Sequence, residues 1–261
     1  MWIVLVCGLV LYVFAHRWFW VVEDSYKKEG PGCELISHRG VTISAPENTM
    51  QSYLDAVDKG FRWIELDVLS TKDGALICSH NFDLERETDL VGYIHQTNLE
   101  AIKNAYTGVK MGYSGSFRIP QFVDVLSGVP DSTGLNIEIK YSSLFDFSGA
   151  RALCRLSERL KRKKIIISSF NPVVLLYIKL FYGQAPIGFL VESKKYLWIT
   201  NWLHPTYLHP RADMIDSDLL RYCGKRNLGI LAWTVNSRNA IKWCLNHKVT
   251  GVITDSERSQ L

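Results

Sequence analysis

The sequence predicts an α/β protein in which about eight β-strands alternate with helices, the pattern of a closed (β/α)8 barrel, or TIM barrel. The alternation of two kinds of segment carries this prediction. Short apolar or alternating segments that suit strands recur between amphipathic segments that suit helices, from residue 34 to residue 255. An open, doubly wound sheet is the alternative, but no Gly-x-Gly-x-x-Gly segment supports the nucleotide site that such a sheet often carries.

The first elements set the pattern. A strand is predicted over residues 34–40, a helix over residues 47–60 and a second strand over residues 63–68. Strand, helix and strand in this order indicate a parallel sheet. A turn at residues 71–74, with the sequence Thr-Lys-Asp-Gly, then folds residues 75–80 back on the second strand as a hairpin arm that we do not count as a barrel strand.

The remaining elements alternate in the same way after one irregular segment. Residues 81–120 lack strong periodicity and are too long for a plain loop, so we predict a functional insertion or cap there. Residues 192–205 give no clear assignment. Helices are predicted at residues 120–126, 149–162, 172–182, 216–226 and 236–246, and strands at residues 135–140, 165–168, 187–191, 208–210, 229–234 and 251–255.

Composition sets broad limits on function. The chain has 261 residues, of which 47% are hydrophobic, and this is ample for a globular core. The net charge of +4 is mild, so we expect no nucleic-acid partner, while an anionic substrate stays compatible. The six cysteines are scattered without a Cys-x-x-Cys pair, which leaves a zinc or redox motif unsupported.

The N-terminal segment is apolar and rich in aromatic residues. Residues 2–14 carry no charge, and the stretch to Val22 is about long enough to span a hydrocarbon core if Arg17 snorkels. We therefore predict an N-terminal transmembrane helix as an uncleaved anchor over residues 1–22, a linker over residues 23–33 and the barrel over residues 34–261. A cleaved signal peptide is the alternative, but a basic start and a small-x-small cleavage site are not clear.

Basic residues that follow the apolar segment predict its orientation. Arg17, Lys27 and Lys28 come after the segment, and no basic residue comes before it. This bias predicts a membrane protein whose barrel lies on the cytoplasmic side.

The second strand and its hairpin carry a candidate site. Glu65 and Asp67 are two residues apart, so on a strand their side chains point to the same face. The hairpin brings His80 back to about their level. Two carboxylates this close are costly unless one is protonated or a cation lies between them, and hard oxygen ligands favour Mg²⁺ or Ca²⁺. We infer a metal site with a catalytic histidine beside it.

More polar residues fall at the carboxyl ends of the predicted strands, where barrel enzymes place their chemistry. Such residues are costly in a barrel mouth unless they serve a site. They are His38, Glu65, Asp67, Glu138, Lys140 and Trp233.

A series of short motifs, in this order and spacing, resembles the glycerophosphodiester phosphodiesterase family, over about residues 35–256. The motifs are His38-Arg39-Gly40, Pro46-Glu47-Asn48-Thr49, Glu65-x-Asp67-Val68, Thr71-Lys72-Asp73-Gly74, Ser79-His80, Asn136-x-Glu138-x-Lys140, Trp233-Thr234-Val235-Asn236 and Thr254-Asp255. A membrane segment before this domain also resembles the branch of the family that acts as lysophospholipase D.

The resemblance implies a TIM barrel with an insertion after the second catalytic histidine, at about residues 81–120, and it assigns roles to single residues. General acid and base would be His38 and His80. Ligands of a divalent cation would be Glu65, Asp67 and Glu138, together with Glu47 as in several members. Arg39 and Lys140 would hold the phosphate, and Phe170 and Trp233 would line the alcohol pocket.

The implied reaction is metal-dependent hydrolysis of glycerophosphodiesters or lysophospholipids, at a membrane, to sn-glycerol 3-phosphate or lysophosphatidate plus an alcohol. A metal ion, an arginine and a lysine suit the negative charge that develops on the phosphate, and two histidines suit proton transfer near neutral pH. The nucleophile is either water or a neighbouring substrate hydroxyl.

Two other functions stay open. The family commonly has aspartate after its second histidine, where this chain has Asn81. This departure motivates the alternative of a non-catalytic barrel that binds phosphate or a lipid head group. A related phosphodiester lyase that forms a cyclic phosphate is a further alternative.

Overall fold

A computed structural model describes residues 2–161, 163–183 and 185–256. The strands are β1 (Glu34–His38), β2 (Trp63–Ser70), β3 (Leu76–Cys78), β4 (Tyr106–Thr107), β5 (Phe117–Arg118), β6 (Gly134–Ile139), β7 (Ile165–Ser169), β8 (Ile187–Val191), β9 (Tyr207–Pro210), β10 (Gly229–Ala232) and β11 (Gly251–Thr254). The α-helices are α1 (Trp2–Trp18), α2 (Met50–Asp58), α3 (Leu99–Ile102), α4 (Phe122–Gly128), α5 (Ser148–Arg155), α6 (Ser157–Leu160), α7 (Pro172–Phe181), α8 (Thr200–Leu203), α9 (Ser217–Lys225) and α10 (Arg238–Asn246).

Eight parallel strands close into a barrel. They follow the order β1, β11, β10, β9, β8, β7, β6 and β2, and β1 also pairs with β2. Since the first strand is bonded on both sides, the barrel ring has no free edge. The predicted (β/α)8 barrel is confirmed, and the open doubly wound sheet is excluded.

The hairpin and the insertion stand apart from the barrel ring. β3 pairs antiparallel with β2 through Val68 and Cys78, as the turn chemistry predicts. Residues 81–120 contain the short ribbon of β4 and β5 together with α3. A small apolar cluster fixes this segment against the hairpin: Leu69, Ile77, Leu84, Ile94, Ile102 and Ile119.

Apolar side chains fill the interior of the barrel at its amino-terminal end. Gly134 belongs to this layer because a Cβ there would lie 2.4 Å from the ring of Trp63. Since this end is filled, the polar interior side chains lie at the carboxyl ends of the strands. The layer consists of Ile36, Trp63, Ile166, Tyr207, Leu231 and Ile253.

The predicted membrane anchor is wrong. α1 comprises 17 residues, and among the described residues no helix has the length and apolarity that a membrane crossing requires. The single-pass anchor over residues 1–22 and the cytoplasmic placement of the barrel that depended on it are therefore not supported. The predicted span included residues 19–22, whereas α1 ends at Trp18.

Residues after α1 pack on the barrel instead of extending the helix. Trp20 and Val22 are buried, and the indole Nε1 of Trp20 donates a hydrogen bond to Asn201 at 3.2 Å. Arg17, in the last turn of α1, lies against the same surface, with its guanidinium 5.0 Å from the ring centroid of Trp202. These contacts end the helix at Trp18 because burial of the next apolar side chains on the barrel requires the chain to turn.

His209, on β9, is a histidine that the barrel holds in its neutral form. The side chain is fully buried, and neither ring nitrogen has a hydrogen-bond partner among the described residues. Gly188 makes room for the ring, since a Cβ there would lie 2.3 Å from Nε2. Burial lowers the pKa of His209 to about 3.

This burial predicts a loss of stability in acid. The unfolded chain takes up a proton at His209 near the ordinary pKa of 6.5, whereas the folded chain does so only near 3. Proton binding at His209 therefore leaves stability unchanged above 6.5, and it lowers stability by roughly 1 kcal/mol per pH unit as the pH falls from 6.5 towards 3. Urea unfolding of the wild type and of His209→Gln, from neutral pH downwards, should show the wild type losing its advantage. Parallel pH profiles would contradict the prediction.

Candidate active site

Three carboxylates meet at the carboxyl ends of two adjacent strands. Glu65 and Asp67 lie on the inner face of β2, and Glu138 lies beside them on β6, in register with Asp67. One carboxylate oxygen from each residue lies within 4.8 Å of one from each of the other two, and all three residues are buried. We call Glu65, Asp67 and Glu138 the carboxylate triad. The structure thus brings together the three residues that the sequence singled out as metal ligands.

The triad carries more negative charge than its surroundings neutralise. Burial and then the charge of Asp67 raise the pKa values of Glu65 and Glu138. Burial also opposes ionisation of Asp67, but Lys140 and Arg39 outweigh it, so the pKa of Asp67 lies below its usual value. Buried carboxylates this close together, two of them with raised pKa values, fit a divalent cation, and an all-oxygen set suits Mg²⁺ or Ca²⁺.

Arg39 is held across the edge of the triad by an unusual turn. Arg39 and Gly40 have φ angles of +57° and +88°, in the left-handed region that costs energy for a residue with a side chain. A Cβ at Gly40 would lie 2.4 Å from Ser52. The turn places Nε of Arg39 3.0 Å from Asp67, and its Nη1 donates to Glu47 at 2.8 Å. Glu47, also named as a metal ligand, thus lies outside the triad and binds Arg39.

Lys140 lies on the other side of the triad. Its Nζ is 3.1 Å from Glu138 and 3.5 Å from Asp67, and its side chain is largely buried. Two fixed cations therefore flank Asp67 from different elements, at the end of β1 and at the end of β6. Arg39 and Lys140 thus form a positively charged surface beside the carboxylates, and their charges would neutralise a bound phosphate.

His38 ends β1 and is oriented by a carboxylate from the far end of the chain. Its Nδ1 lies 2.5 Å from Oδ1 of Asp255, and Nδ2 of Asn236 donates to the other oxygen of Asp255 at 2.8 Å. Its Nε2 faces Glu65 at 3.9 Å. Burial lowers the pKa of His38, but the hydrogen bond with Asp255 and the charge of Glu65 outweigh it, so the pKa is raised.

The partnership of His38 and Asp255 predicts a catalytic defect on substitution. Asp255→Asn keeps the size but removes the charge that holds the proton on Nδ1, so we expect kcat to fall by about 10- to 1000-fold with little change in KM. Steady-state kinetics test this expectation, and Asp218→Asn, on the exposed face of α9, is the matched control. Equal kcat values for Asp255→Asn and the wild type would contradict it.

His80 follows the hairpin arm and enters the same cavity. Burial lowers its pKa to about 4, against the opposing effect of Asp67. Near neutral pH the imidazole is therefore unprotonated and offers a lone pair. His38 and His80 thus present two imidazoles, in different electrostatic surroundings, to one space.

The cavity that these residues share has a volume of about 220 Å³. The rings of Phe170 and Trp233 form an apolar wall, with centroids 5.4 Å apart and planes nearly perpendicular. The indole Nε1 of Trp233 is fixed by a 2.7 Å hydrogen bond to the carbonyl of His209. The lining consists of His38, Arg39, Glu65, His80, Asn136, Glu138, Lys140, Phe170, Leu190, Trp233, Thr234 and Ile253.

The family model described as the glycerophosphoryl diester phosphodiesterase family matches residues 38–257, which include the whole of this cavity. The chain belongs to this family. The predicted family is thereby confirmed, and so is the predicted class of enzyme, a phosphoric diester hydrolase.

Similar proteins of the glycerophosphoryl diester phosphodiesterase family span nearly the same length. The chain is 32% identical over 231 residues to a glycerophosphodiester phosphodiesterase of Caldanaerobacter subterraneus subsp. tengcongensis, covering 85% of this chain and 93% of that protein. A phosphodiesterase of Oleispira antarctica, solved in complex with the product sn-glycerol-3-phosphate, superposes with a TM-score of 0.76 at 25% identity over 87% of this chain and 94% of that one. A glycerophosphodiester phosphodiesterase of Thermotoga maritima gives a TM-score of 0.69 at 27% identity over 86% and 94%.

Sequence reasoning left three residues of this phosphodiesterase site without a role. Asn48 donates to Asp67 at 2.9 Å and accepts from the backbone N–H of the same residue at 3.1 Å, so it fixes one member of the triad. Asp255 orients His38, and Glu87 reaches the site from the insertion. Asn48 and Asp255 stand inside motifs already recognised, whereas Glu87 lies in the aperiodic segment and gave no signal.

Proposed function

We propose that this phosphodiesterase hydrolyses glycerophosphodiesters to sn-glycerol 3-phosphate and an alcohol, with a divalent cation, Mg²⁺ or Ca²⁺, as its cofactor. The observation that carries the proposal is the buried triad, flanked by two cations and two imidazoles around one small cavity. The name of the Caldanaerobacter relative and the sn-glycerol-3-phosphate bound in the Oleispira structure support the substrate class.

The triad would hold the cation. When bound, the ion supplies Lewis-acid stabilisation of the negative charge that develops on the phosphoryl oxygens. Glu47 stays a predicted further ligand, and its bond to Arg39 gives it a second role in fixing that side chain. Asn48 adds rigidity, because its amide group holds Asp67 through both the carboxylate and the backbone.

Arg39 and Lys140 bind the phosphate in this proposal. Both side chains line the cavity and lie beside Asp67. Their charges are fixed before the substrate arrives, so they stabilise the transition state without the cost of reorienting.

His38 and His80 act as the general acid and base. Hydrolysis requires one proton to leave the nucleophile and one to reach the leaving alkoxide, and two imidazoles at one cavity supply both transfers. Asp255 orients the first of these rings. The nucleophile is water, or a substrate hydroxyl that first forms a cyclic phosphate.

We propose lysophospholipids as a further substrate class. Their hydrolysis would give lysophosphatidate and an alcohol. A cavity of about 220 Å³ is smaller than the roughly 300–1,000 Å³ of drug-sized ligand sites, so it holds a polar head and not an acyl chain. The loop after β6 presents Leu144 and Phe145 at 51% and 72% exposure, and its backbone is tied to Asn171, next to Phe170. An acyl chain would lie along this exposed loop.

A substrate panel tests the proposal. Glycerophosphocholine, glycerophosphoethanolamine and lysophosphatidylcholine should each release their amino alcohol with added Mg²⁺ or Ca²⁺, and EDTA should abolish the release. Turnover that is unaffected by EDTA would contradict the role of the cation. Binding of sn-glycerol 3-phosphate without any turnover would indicate the non-catalytic alternative, and phosphorus NMR of the products would reveal a cyclic phosphate.

A further inference from the structure

Tyr53, on α2, brings a hydroxyl group into the apolar core of the protein. Its side chain is fully buried, and the hydroxyl donates a hydrogen bond to Oδ1 of Asn48 at 3.0 Å. Burial, followed by the neighbouring Cys78, raises the pKa of Tyr53 well above its ordinary value, so the phenol keeps its proton. Because a buried hydroxyl requires a hydrogen-bond partner, this contact ties Tyr53 to Asn48.

The amide of Asn48 has one orientation that satisfies its neighbours. The backbone N–H of Asp67 donates to Oδ1 of Asn48 at 3.1 Å, and since a backbone N–H can only donate, the atom that faces it is the amide oxygen. The amide nitrogen therefore points to the carboxylate of Asp67, where it donates to Oδ2 at 2.9 Å. Tyr53 adds a second donor to the amide oxygen and so holds the amide in this orientation.

The start of α2 fixes Tyr53 relative to Asn48. Thr49 caps the helix, and the side chains of Thr49 and Ser52 each accept from the backbone N–H of the other residue. The N–H of Asn48 donates to the carbonyl of Arg39 at 3.0 Å, and the N–H of Tyr53 donates to the carbonyl of Thr49 at 3.2 Å. The hydroxyl and the amide are thus presented to each other from a bonded backbone.

The two carboxylate oxygens of Asp67 have different surroundings. Oδ2 accepts from Asn48 and lies 3.0 Å from Nε of Arg39. Oδ1 is buried and has no hydrogen-bond partner among the described residues, and Nζ of Lys140 lies 3.5 Å away. A buried carboxylate oxygen without a hydrogen bond is costly unless a cation satisfies it. The contacts of Oδ2 therefore leave Oδ1 as the oxygen of Asp67 that a metal ion would take.

We propose that Tyr53 is a positioning residue for the divalent cation: through Asn48 it holds Oδ2 of Asp67, so that Oδ1 is presented to the ion. The proposal rests on the cation of the proposed function. It adds a residue of the core to the site, because the ring of Tyr53 packs among apolar side chains while its hydroxyl acts on a metal ligand through one amide.

Tyr53→Phe tests the proposal by removing the hydroxyl and keeping the ring. The amide of Asn48 then loses one of its two donors, and we expect the Kd for Mg²⁺ or Ca²⁺ to rise about 3- to 10-fold, less than the 10- to 100-fold typical of a group that contacts a ligand directly. Calorimetric titration of the cation into protein freed of metal with EDTA measures this Kd without substrate. An unchanged Kd in Tyr53→Phe would overturn the proposal.

Asn48→Gly tests whether Tyr53 acts through the amide. Glycine tolerates the φ of +56° at this position, and loss of the amide should raise the Kd about 10- to 100-fold. Tyr53→Phe should then have no further effect on the Kd when it is added to Asn48→Gly, because the group through which it acts is gone. Effects of the two substitutions that multiply would also overturn the proposal.

Tyr222→Phe is the matched control. Tyr222 lies on α9, its hydroxyl donates to the carbonyl of Leu197 at 3.4 Å, and the loss of this hydroxyl should leave the Kd unchanged. The Tm of every variant in EDTA identifies a loss of fold. A purely structural role of Tyr53 would lower this Tm and leave the Kd unchanged, whereas a positioning role raises the Kd.

Activity measurements separate this proposal from the proposed function. In Tyr53→Phe the cation concentration that gives half-maximal kcat should rise with the Kd, and kcat should return to the wild-type value when the cation is saturating. If the wild type binds the cation but does not turn over glycerophosphocholine, the proposed function fails and the Kd of Tyr53→Phe still tests the positioning role. If the wild type turns over and Tyr53→Phe has the same Kd, only the positioning role fails.

Discussion

His38→Ala is expected to lower kcat for glycerophosphodiester hydrolysis by about 100- to 10,000-fold, the range that general acid–base groups contribute. The substitution removes the imidazole that lies between Asp255 and Glu65. KM should change little, because Arg39 and Lys140, which bind the phosphate in the proposed function, stay in place. Choline release under saturating glycerophosphocholine measures the effect.

His247→Ala is the control for this experiment. His247 is an exposed histidine at the end of α10, where its ring stacks on Trp243, and its loss should leave kcat unchanged. His80→Ala should show a loss similar to that of His38→Ala. The double variant should be only slightly worse than either single one, because two groups that act in one reaction are not additive. A His38→Ala enzyme within about threefold of the wild type would remove His38 from the mechanism.

Glu65→Gln should have the second large effect, on two properties in opposite directions. Loss of one triad carboxylate should lower activity at low millimolar Mg²⁺ or Ca²⁺ by about 100-fold or more, since the remaining donors hold the cation poorly. The rise in Tm that the cation causes in the wild type should disappear as well. In EDTA, however, Glu65→Gln should be more stable than the wild type at alkaline pH, because burial and then Asp67 raise the pKa of Glu65 above 4.5.

The sign of this pH effect follows from proton linkage. In EDTA the folded wild type keeps a proton on Glu65 at pH values where the unfolded chain has lost it, so its stability falls as the pH rises above the ordinary pKa of 4.5. Glu65→Gln lacks this titration. The difference in Tm between variant and wild type should therefore grow from about pH 5 to about pH 8. Glu100→Gln, on an exposed ion pair with Lys103, is the control, and a Tm difference that does not depend on pH would refute the argument.

The barrel and much of the site were predictable because both follow from local patterns. Strands of parallel barrels read as short apolar or alternating runs, and residues at strand ends converge whatever the loops do. That rule placed Glu65, Asp67 and Glu138 together. Lys140 followed from the same alternation, since it stands two residues after Glu138 on one face.

What escaped prediction depends on contacts between distant segments. The end of α1 is decided by burial of Trp20 and Val22 on the barrel, which hydropathy along the chain does not register. Glu87 stands in a segment without periodicity, so only the folded insertion reveals its proximity to Asn81. Glu47 could bind either a metal ion or a neighbouring cation, and sequence alone does not decide between them. In the folded chain its carboxylate binds the guanidinium of Arg39.

The pairing of the first barrel strand with the last has a consequence for biosynthesis. His38 and Asp255 are 217 positions apart, and β1 finds its second neighbour only in β11. A nascent chain that still holds β11 inside the ribosome therefore has an open sheet and a histidine without its carboxylate. Contacts of such long range also slow folding, since loop closure must precede them. Catalytic competence should accordingly arise late, only after translation has delivered the last strand.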